Sequence, residues 1–346
     1  MKHQTTRYGE IPFYKIGTFG NTADAFISKK LFLEYKTKYS FPKKGDILIS
    51  ASGTIGRAVI YDGKPAYFQD SNIVWIDNDE TLVKNDFLFY AYSNVKWNTE
   101  HTTILRLYND NFRNTLIPLP PLNEQSAIAD ILSALDRYLY ALDALILKKE
   151  GVKKALSFEL LSQRKRLKGF NQAWQRVRLG DIANYLTSNL SVEQITQQGK
   201  IKVYDVNNFI GYTDTTFISD KPYISIVKDG SVGRVRILPP KTNILSTMGA
   251  LIANHRTTTE FLFYLLSNFD FKNFTSGSII PHIYFKDYKE KTIFLPPLNE
   301  QIAIANILSA LDNEIASLKN KKRQFENIKK ALNHDLMSAK IRVLKK

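Results

Sequence analysis

The stretch LPPLNEQSAIADILSALD at residues 119–136 recurs as LPPLNEQIAIANILSALD at residues 295–312. Sixteen of the eighteen positions are identical at a constant offset of 176, and the match continues without a gap to KKAL at 153–156 and 329–332. A repeat of this length indicates that the chain contains an internal duplication.

Each copy of the repeat predicts a long helix. The Pro-Pro pair holds the chain extended, because the residue before a proline is pushed out of the α region. Asn123 and Asn299 are candidate N-caps, and Glu124 and Glu300 follow in the first turn, where the helix dipole favours a carboxylate. About 45 residues at ~1.5 Å rise each would form a spacer rod of about 65–70 Å.

The apolar residues of both predicted helices recur every seven residues, which is typical of a coiled-coil seam. The predicted seam comprises Ile128, Ile131, Leu135, Leu142, Leu145, Val152 and Leu156 in the first copy and Ile304, Ile307, Leu311, Leu318, Phe325, Ile328 and Leu332 in the second. It is widened by Leu132, Leu139, Ile146, Leu160, Leu308, Ile315 and Leu336.

The composition limits the class of protein. The 346 residues carry a formal net charge of +15, which points to a polyanionic partner, most often nucleic acid. Part of the surplus lies at the far ends of the long helices, where a solvated helix face is an equal alternative. The absence of cysteine excludes a disulfide scaffold and a thiolate site. No apolar run approaches the ~18 residues of a membrane span, so we expect a soluble, cytoplasmic protein.

The segments between the helices also repeat one another. ILISASGTIGRAVIYDG at 47–63 and YISIVKDGSVGRVRILPP at 223–240 each predict a strand, a glycine turn and a second strand. FLFYAYSN at 87–94 matches FLFYLLSN at 261–268 in six of eight positions, and we interpret both as core helices rather than base-stacking platforms.

We therefore predict an α+β fold with two mixed α/β globules, residues 1–117 and 170–293, separated by long helices at 118–169 and 294–346. The second long helix starts at the second globule, so it can pack on the first long helix only in the antiparallel direction. The expected architecture is a tandem repeat with an antiparallel coiled coil and approximate twofold symmetry.

The doubled PPLNEQ helix start, and WQRVRLGDIA at 174–183 in the second globule, resemble the specificity subunits of type I restriction-modification systems. The resemblance implies two target-recognition domains that each read one half of a split DNA site, with helices that set the gap. It also implies a subunit without catalytic activity or cofactor, which bridges two adenine methyltransferase (modification) subunits and, in the full complex, two restriction subunits.

The first globule departs from this pattern. It lacks a counterpart of WQRVRLGDIA, and about ten residues precede IPFYKIGTFG at 11–20, where nearly thirty precede the matching IKVYDVNNFIG at 201–211. We expect a first recognition domain that is shortened at its N-terminal side.

Motifs for catalysis are missing from the sequence. There is no G-x-x-x-x-G-K-[ST] phosphate loop, the Pro-Pro pairs follow Leu119 and Leu295 rather than Asn or Asp, and the five histidines show no metal-ligand spacing. These absences together favour a binding protein with no catalytic, cofactor or metal residue. A nuclease or methyltransferase in its own right is the least favoured alternative.

The first candidates for base reading lie where the two globules correspond but differ. TTILRLYNDNF at 102–112 pairs with SIIPHIYFKDY at 278–288, which places Arg106 opposite His282. An arginine can contact guanine with two hydrogen bonds, and a histidine can donate or accept at a base edge. The alternative is a surface loop residue. The following Leu107–Tyr108 and Ile283–Tyr284 pairs are interpreted as structural.

The second candidates are the turns GTIGR and GSVGR. Their glycines would let the backbone approach a phosphate, and their hydroxyl and guanidinium groups would donate to it, although an ordinary hairpin turn is an equal alternative. The residues are Gly53, Gly56, Gly230, Gly233, Thr54, Ser231, Arg57 and Arg234. Lys43, Lys44 and Lys228 would add phosphate attraction, and the weaker candidates are Asn109, Asn111, Arg113, Ser276 and Lys286.

The PPLNEQ corners are expected to be exposed and to contact the methyltransferase subunit, with a helix-capping corner as the alternative. Their candidate interface residues are Pro121, Asn123, Glu124, Gln125, Pro297, Asn299, Glu300 and Gln301. A competing functional hypothesis is a structural or anti-restriction protein whose helices sequester methyltransferase subunits. Whether residues 1–117 fold and bind DNA distinguishes the two.

Overall fold

Residues 4–68, 72–97 and 106–344 are described by a computed structural model. The first half of the chain holds strands β1 (Ile11–Tyr14), β2 (Phe26–Ile27), β3 (Ile47–Ser50), β4 (Ala58–Ile60), β5 (Tyr67–Phe68) and β6 (Ile73–Trp75). Its helices are α1 (Lys29–Lys38), α2 (Asn85–Tyr92), α3 (Asn109–Arg113) and the long α4 (Leu122–Leu161).

The second half repeats this order with additional strands. Its strands are β7 (Gln175–Arg178), β8 (Ala183–Thr187), β9 (Ile201–Tyr204), β10 (Phe209–Thr213), β11 (Tyr223–Val227), β12 (Val235–Leu238), β13 (Thr242–Ile244), β14 (Met248–Ala253), β15 (Thr275–Ser276), β16 (His282–Ile283) and β17 (Thr292–Leu295). Its helices are α5 (Thr259–Ser267), α6 (Phe285–Tyr288) and the long α7 (Leu298–Met337). Within the described ranges, no helix is long and apolar enough to cross a membrane.

The chain divides into two compact units that each contain part of both long helices. Unit 1 comprises Met1–Asp143 and Asn320–Lys346, and unit 2 comprises Ala144–Lys319. Each unit thus combines one globule with a segment of α4 and a segment of α7.

The two globules share a sheet plan. Unit 1 has one sheet in the order β4-β3-β6 and another in the order β2-β1-β5, with β1 and β5 parallel. Unit 2 has the matching orders β12-β11-β14 and β10-β9-β13, but β8 is added beside β14 and β7 pairs with β17. The extra strands β7 and β8 belong to the segment that the first globule lacks in sequence.

The aromatic-rich helices form cores in both globules, as the sequence predicted. Phe87 of α2 and Phe261 of α5 are 1% and 0% exposed. Phe261 belongs to a large cluster that includes Ile224 and Leu251 of the sheet. A core position explains why the two helices are nearly copied.

The long helices run antiparallel within each unit. In unit 2 the amine of Lys149 lies 2.8 Å from Glu314, and Lys153 pairs with Asp312, so rising numbers in α4 meet falling numbers in α7. In unit 1 Asp136 pairs with Lys329, and Lys322 lies 2.7 Å from Asp143. The predicted α+β fold with long antiparallel helices is confirmed.

The buried stripe of the helices lies within the widened predicted seam, but it follows the widening residues more closely than the first seven-residue row. Ile131, Leu145, Val152 and Ile328 are exposed, so their assignment to the seam was wrong. The buried positions are Ile128, Leu132, Leu142, Ile146, Leu160, Ile304, Leu308, Ile315 and Leu336. Both apolar rows follow a seven-residue spacing, and packing against the partner helix and the globule selects one of them.

The glutamate and glutamine of each PPLNEQ corner are buried, which corrects the expectation of exposure for these residues, whereas Pro121, Asn123 and Asn299 are exposed. Glu124, Gln125, Glu300 and Gln301 are each at most 2% exposed. α4 and α7 begin at Leu122 and Leu298, so the asparagines lie inside the first turn and are not N-caps. The Asn123 and Asn299 side chains instead accept from the next backbone N–H, at 3.0 and 2.9 Å.

The buried glutamines join each long helix to the core helix of its globule. Gln125 Oε1 accepts from the N–H of Lys84, the residue that precedes α2, at 2.8 Å. Gln301 Oε1 accepts from the N–H of Thr258, which precedes α5, at 3.1 Å. Each amide nitrogen donates to two carbonyls, so every buried polar atom of the side chain is satisfied.

The glutamate of each corner binds an arginine from the segment that follows the other long helix. Arg342 Nε donates to Glu124 Oε1 at 2.6 Å. Arg166 donates to Glu300 with Nη2 at 2.7 Å and Nε at 3.2 Å. These contacts supply a structural reason for the copied motif.

The Glu124 contact predicts an acid sensitivity of unit 1. Hydrogen bonding from Arg342 holds the pKa of Glu124 below its usual range. The stabilisation is therefore complete above the unfolded pKa of about 4.3 and is lost as the pH falls through the lower folded pKa. In urea unfolding between about pH 3 and pH 6, the unchanged chain should lose stability on acidification more steeply than Glu124→Gln. Identical pH profiles would contradict this.

Candidate nucleic-acid interface

In each globule the glycine turn lies beside the residue that was predicted to read bases. In unit 1 Ser52 and Arg106 form an antiparallel bridge, and in unit 2 Asp229 and His282 form the matching one. Backbone hydrogen bonds fix the neighbours, because Leu107 N–H donates to Ala51 at 2.9 Å. The glycine turn and the proposed base-reading residue, about 50 residues apart in sequence, are thus neighbours in the structure. The same arrangement occurs in both globules.

Aromatic rings hold each glycine turn against the helix that follows the base-reading position. A Cβ on Gly56 would lie 2.2 Å from Trp97, whose ring stacks on Phe112 of α3 with centroids 5.5 Å apart. A Cβ on Gly233 would lie 2.6 Å from Phe271, whose ring meets Tyr288 of α6 at 5.3 Å. Both turns therefore have the same support built from different aromatic residues.

These rings correct the predicted role of two glycines. The space beside Gly56 and Gly233 is filled by an aromatic ring and not left for a phosphate. Gly53 and Gly230 have φ values of +68° and +81° and no atom within 3.5 Å of an added Cβ, so they stay candidates for phosphate contact.

The two glycines of the second turn form a matched pair for mutation. Gly230→Ala adds only the strain of a left-handed backbone, about 1 kcal/mol, because the space around it is open. Gly233→Ala adds the same strain and a clash with buried Phe271, and we expect a loss of about 2–4 kcal/mol. Urea unfolding measures the difference, and equal losses for the two variants would contradict the packing role of Gly233.

His282 is oriented by a carboxylate and an exposed ring. Its Nδ1 lies 2.6 Å from Asp229 Oδ1, and both side chains are about one-third exposed. The Tyr284 ring lies nearly parallel to the imidazole, with centroids 6.5 Å apart, and the Lys286 amine lies 5.5 Å from the Tyr284 ring. A carboxylate on Nδ1 leaves Nε2 to accept from a base edge when the ring is neutral.

Tyr108 and Tyr284 were interpreted as structural, and their positions correct this. Leu107 and Ile283 are buried as predicted, whereas Tyr108 and Tyr284 are 41% and 50% exposed. Successive residues of an extended segment point to opposite sides, so the buried apolar residue could have shown that the tyrosine faces outward. Each tyrosine adds an aromatic face next to Arg106 or His282.

The remaining candidates fall into three groups. Those exposed at or beside the turn and the following helix stay predictions for DNA contact: Thr54, Ser231, Arg234, Asn109, Ser276 and Lys286. Partly exposed Lys228 stays in this group, because its carbonyl accepts from Ile283 N–H at 2.9 Å.

The second group already has partners within the chain. Arg57 donates to the Phe19 carbonyl at 2.9 Å, Asn111 accepts from the Tyr108 N–H at 3.2 Å, and Arg113 lies 3.7 Å from Asp110. Part of the donor or acceptor capacity of these three side chains is used locally.

The third group lies away from the turn. Lys43 and Lys44 precede β3, whereas the glycine turn follows it, so the strand separates them. Lys43 also pairs with Asp77 at 2.9 Å. The phosphate attraction expected of Lys43 and Lys44 stays a prediction, and it would act at the opposite end of β3 from the glycine turn.

Many basic residues at the far ends of the long helices are also paired. The residues in ion pairs are Lys149, Lys153, Lys165, Arg166, Lys319, Lys322, Lys329, Lys340 and Arg342. Most of these pairs are partly exposed and contribute about 0–1 kcal/mol each. They support the alternative in which these charges belong to the surface of the paired helices.

In the part of the chain that the structure describes, no group of three or more His, Cys, Asp or Glu residues is placed to hold a metal ion. His3, His101 and residues 102–105 of the predicted base-reading stretch lie outside the described residues.

Solved structures define the class of fold. The S subunit of the type I restriction-modification system from M. genitalium aligns with a TM-score of 0.64 and 20% identity, over 97% of this chain and 91% of that one. A chain from a study of complex assembly and conformational transition of the type I R-M system aligns with a TM-score of 0.53 and 16% identity, over 85% and 82%. At these identities the likeness shows the fold alone.

The family model for the type I restriction modification DNA specificity domain matches the chain twice, over residues 1–149 and 171–327. The chain therefore belongs to the family of type I restriction-modification DNA specificity subunits. The resemblance inferred from the doubled PPLNEQ motif and the tandem repeat are confirmed.

Curated relatives match either a short part of the chain at high identity or most of the chain at lower identity. A putative type I restriction enzyme specificity subunit of Haemophilus influenzae is 65% identical over 133 residues, which is 38% of this chain and 34% of that relative. The chain thus spans about a third of its length. The putative MjaX specificity subunit of Methanocaldococcus jannaschii is 28% identical over 337 residues, 86% and 79% of the two chains. The MjaVIII subunit of that organism is 25% identical over 362 residues, 92% and 84%.

Proposed function

We propose that the chain reads a split DNA site, one half with each globule. The supporting observation is the repeated pairing of a glycine turn with a variable polar residue, Ser52 with Arg106 and Asp229 with His282. The supporting framework is the same in both globules, whereas the groups that would face bases differ. Modules of this kind read different half-sites on a common scaffold.

The long helices set the distance between the two half-sites in this proposal. The division into recognition segments 1–117 and 170–293 and helical segments 118–169 and 294–346 remains part of it. The described helices of 40 residues each would extend about 60 Å, close to 18 base-pair steps of ~3.4 Å.

We further propose that the chain is a non-catalytic subunit that acts in the cytoplasm. Two methyltransferase subunits supply the methyl transfer, and restriction subunits join in the full complex. Exposed Pro121, Asn123 and Asn299, with partly exposed Pro297, are the corner residues available to the methyltransferase subunit. The buried glutamates and glutamines of the corners would act by shaping that surface.

A methylation map of the source genome, read at single-base resolution with this gene present and deleted, tests the proposal. We expect loss of N6-methyladenine from one split motif with both halves defined. An unchanged map, in a strain where the chain co-purifies with a methyltransferase subunit, would refute the recognition role.

That negative result would support the second candidate function, sequestration of methyltransferase subunits through the helices. The observation that favours it is the smaller first globule, which lacks counterparts of β7 and β8 among the described residues. The discriminating measurement is DNA affinity of the complex between this chain and the methyltransferase subunit. Sequence-independent, weak binding indicates sequestration.

A further inference from the structure

The second globule is completed along one edge by a single extended segment, residues 174–187. Trp174 Nε1 donates to Glu300 Oε2 at 2.9 Å. β7 then pairs with β17, and β8 pairs with β14 over five residues. Between the two strands, Leu179 and Ile182 are fully buried in the main core of unit 2.

The same edge of the first globule is open among the described residues. β6, the counterpart of β14, pairs with β3 on one side and ends the sheet on the other. Residues 116–119, the counterpart of β17, form no strand. Leu119 is 53% exposed, whereas its counterpart Leu295 is 4% exposed, and Leu116 is 93% exposed.

A hollow of about 180 Å³ adjoins this edge. Its walls include Ile76 just beyond β6, Ile117, and Phe112 of α3. Tyr92 also lines it and is 4% exposed, and within the described structure its buried hydroxyl has no hydrogen-bond partner. A buried hydroxyl without a partner is uncommon in a completed core.

The Glu124 carboxylate beside the open edge is bound by an arginine in the same way as its counterpart Glu300. Glu124 accepts from Arg342 as Glu300 accepts from Arg166. Glu300 has the indole of Trp174 as its further donor, whereas the further hydrogen bond to Glu124 comes from the backbone of Val343. Unit 1 thus has the arginine that follows the long helix, Arg342, but no described residue there supplies an indole like that of Trp174.

We propose that the open edge, formed by β6, residues 116–119 and Glu124, binds an extended polypeptide segment. The segment carries an indole at its first position and aliphatic residues at the fourth, sixth and ninth, as do Trp174, Val177, Leu179 and Ile182. Its backbone adds strands to β6 and to residues 116–119, and its side chains cover Leu119 and the hollow. The proposal does not depend on the DNA-reading function.

The argument for this occupant is the internal repeat itself, because the chain shows which chemistry covers the same edge in its other half. A second copy of this chain is a poorer occupant, since residues 174–187 would have to leave the core of unit 2 to reach it.

The test uses the full chain and a labelled synthetic peptide with the sequence of residues 171–190. We expect saturable one-to-one binding by fluorescence anisotropy and a concentration-dependent rise in the melting temperature of the chain. A peptide with alanine at the Trp174 position should bind roughly thirtyfold more weakly, because buried tryptophan anchors dominate such interfaces.

Matched chain variants locate the site. Leu119→Asp should abolish peptide binding, because it places a charge on the proposed edge where the unbound protein already exposes the side chain. Leu147→Asp, at an exposed position of α4 outside that edge, should leave binding unchanged. Both variants change exposed residues, so neither is expected to prevent folding.

Three results would overturn the proposal. They are absence of saturable binding, equal binding of the alanine peptide, and equal binding by Leu119→Asp. Self-association of the chain that Leu119→Asp abolishes, with no peptide binding, would identify a second copy as the occupant and would also overturn it.

Discussion

Arg166→Ala is expected to lower the free energy of unfolding of unit 2 by about 3–5 kcal/mol, because removal of one partner leaves a buried charge uncompensated. Glu300 is 0% exposed, and Arg166 donates to both of its oxygens. Trp174 remains as a neutral donor and cannot replace the lost positive charge. Urea unfolding followed by tryptophan fluorescence measures the loss.

The control is the double variant Arg166→Ala with Glu300→Gln. A neutral amide at position 300 removes the buried charge, so the double variant should be more stable than Arg166→Ala alone. A loss below about 1 kcal/mol in the single variant, the value for an exposed pair, would show that the corner is not held by this ion pair.

His282→Ala is expected to relax the recognition of one half-site and leave the other half unchanged. The imidazole is held by Asp229 at 2.6 Å and lies beside the open glycine of the turn, so its ring has a fixed orientation at the proposed base-reading position. Loss of a good base contact costs about 1–3 kcal/mol of discrimination, roughly tenfold in relative affinity. The measurement is binding of the assembled complex to duplexes that carry single base-pair changes in either half.

Two variants serve as controls for this prediction. Arg106→Ala should relax the opposite half-site, because Arg106 occupies the matching bridge in the first globule. Lys43→Ala should leave the base preference unchanged, since Lys43 lies at the other end of β3 and pairs with Asp77. A base preference that shifts in both halves after His282→Ala would contradict independent modules.

The sequence predicted the long helices and the tandem order because both depend on local patterns. Duplication supplies the order, and proline pairs followed by regular apolar spacing supply the helices. The choice between two neighbouring apolar rows could not be predicted, since Ile131 and Leu132 are equally apolar and only tertiary packing buries Leu132. Burial of Gln125 and Gln301 was missed for a similar reason, because their acceptors and donors come from distant backbone.

The candidate site was predicted in part. Arg106 and His282 were found because the two halves differ there, and the structure places both beside the glycine turns. The aromatic covers of Gly56 and Gly233 were missed although the halves do signal them, because Trp97 and Phe271 each lie three residues after the asparagine that ends the repeated FLFYAYSN and FLFYLLSN stretches.

The most direct test of the central claim, that each globule reads its own half-site, is a methylation map of strains that carry Arg106→Ala or His282→Ala. We predict that each variant makes one half of the methylated motif degenerate, that the two variants affect opposite halves, and that the gap between them stays constant. If either variant altered both halves, or if both altered the same half, the two globules would not be independent readers and the proposal would be wrong.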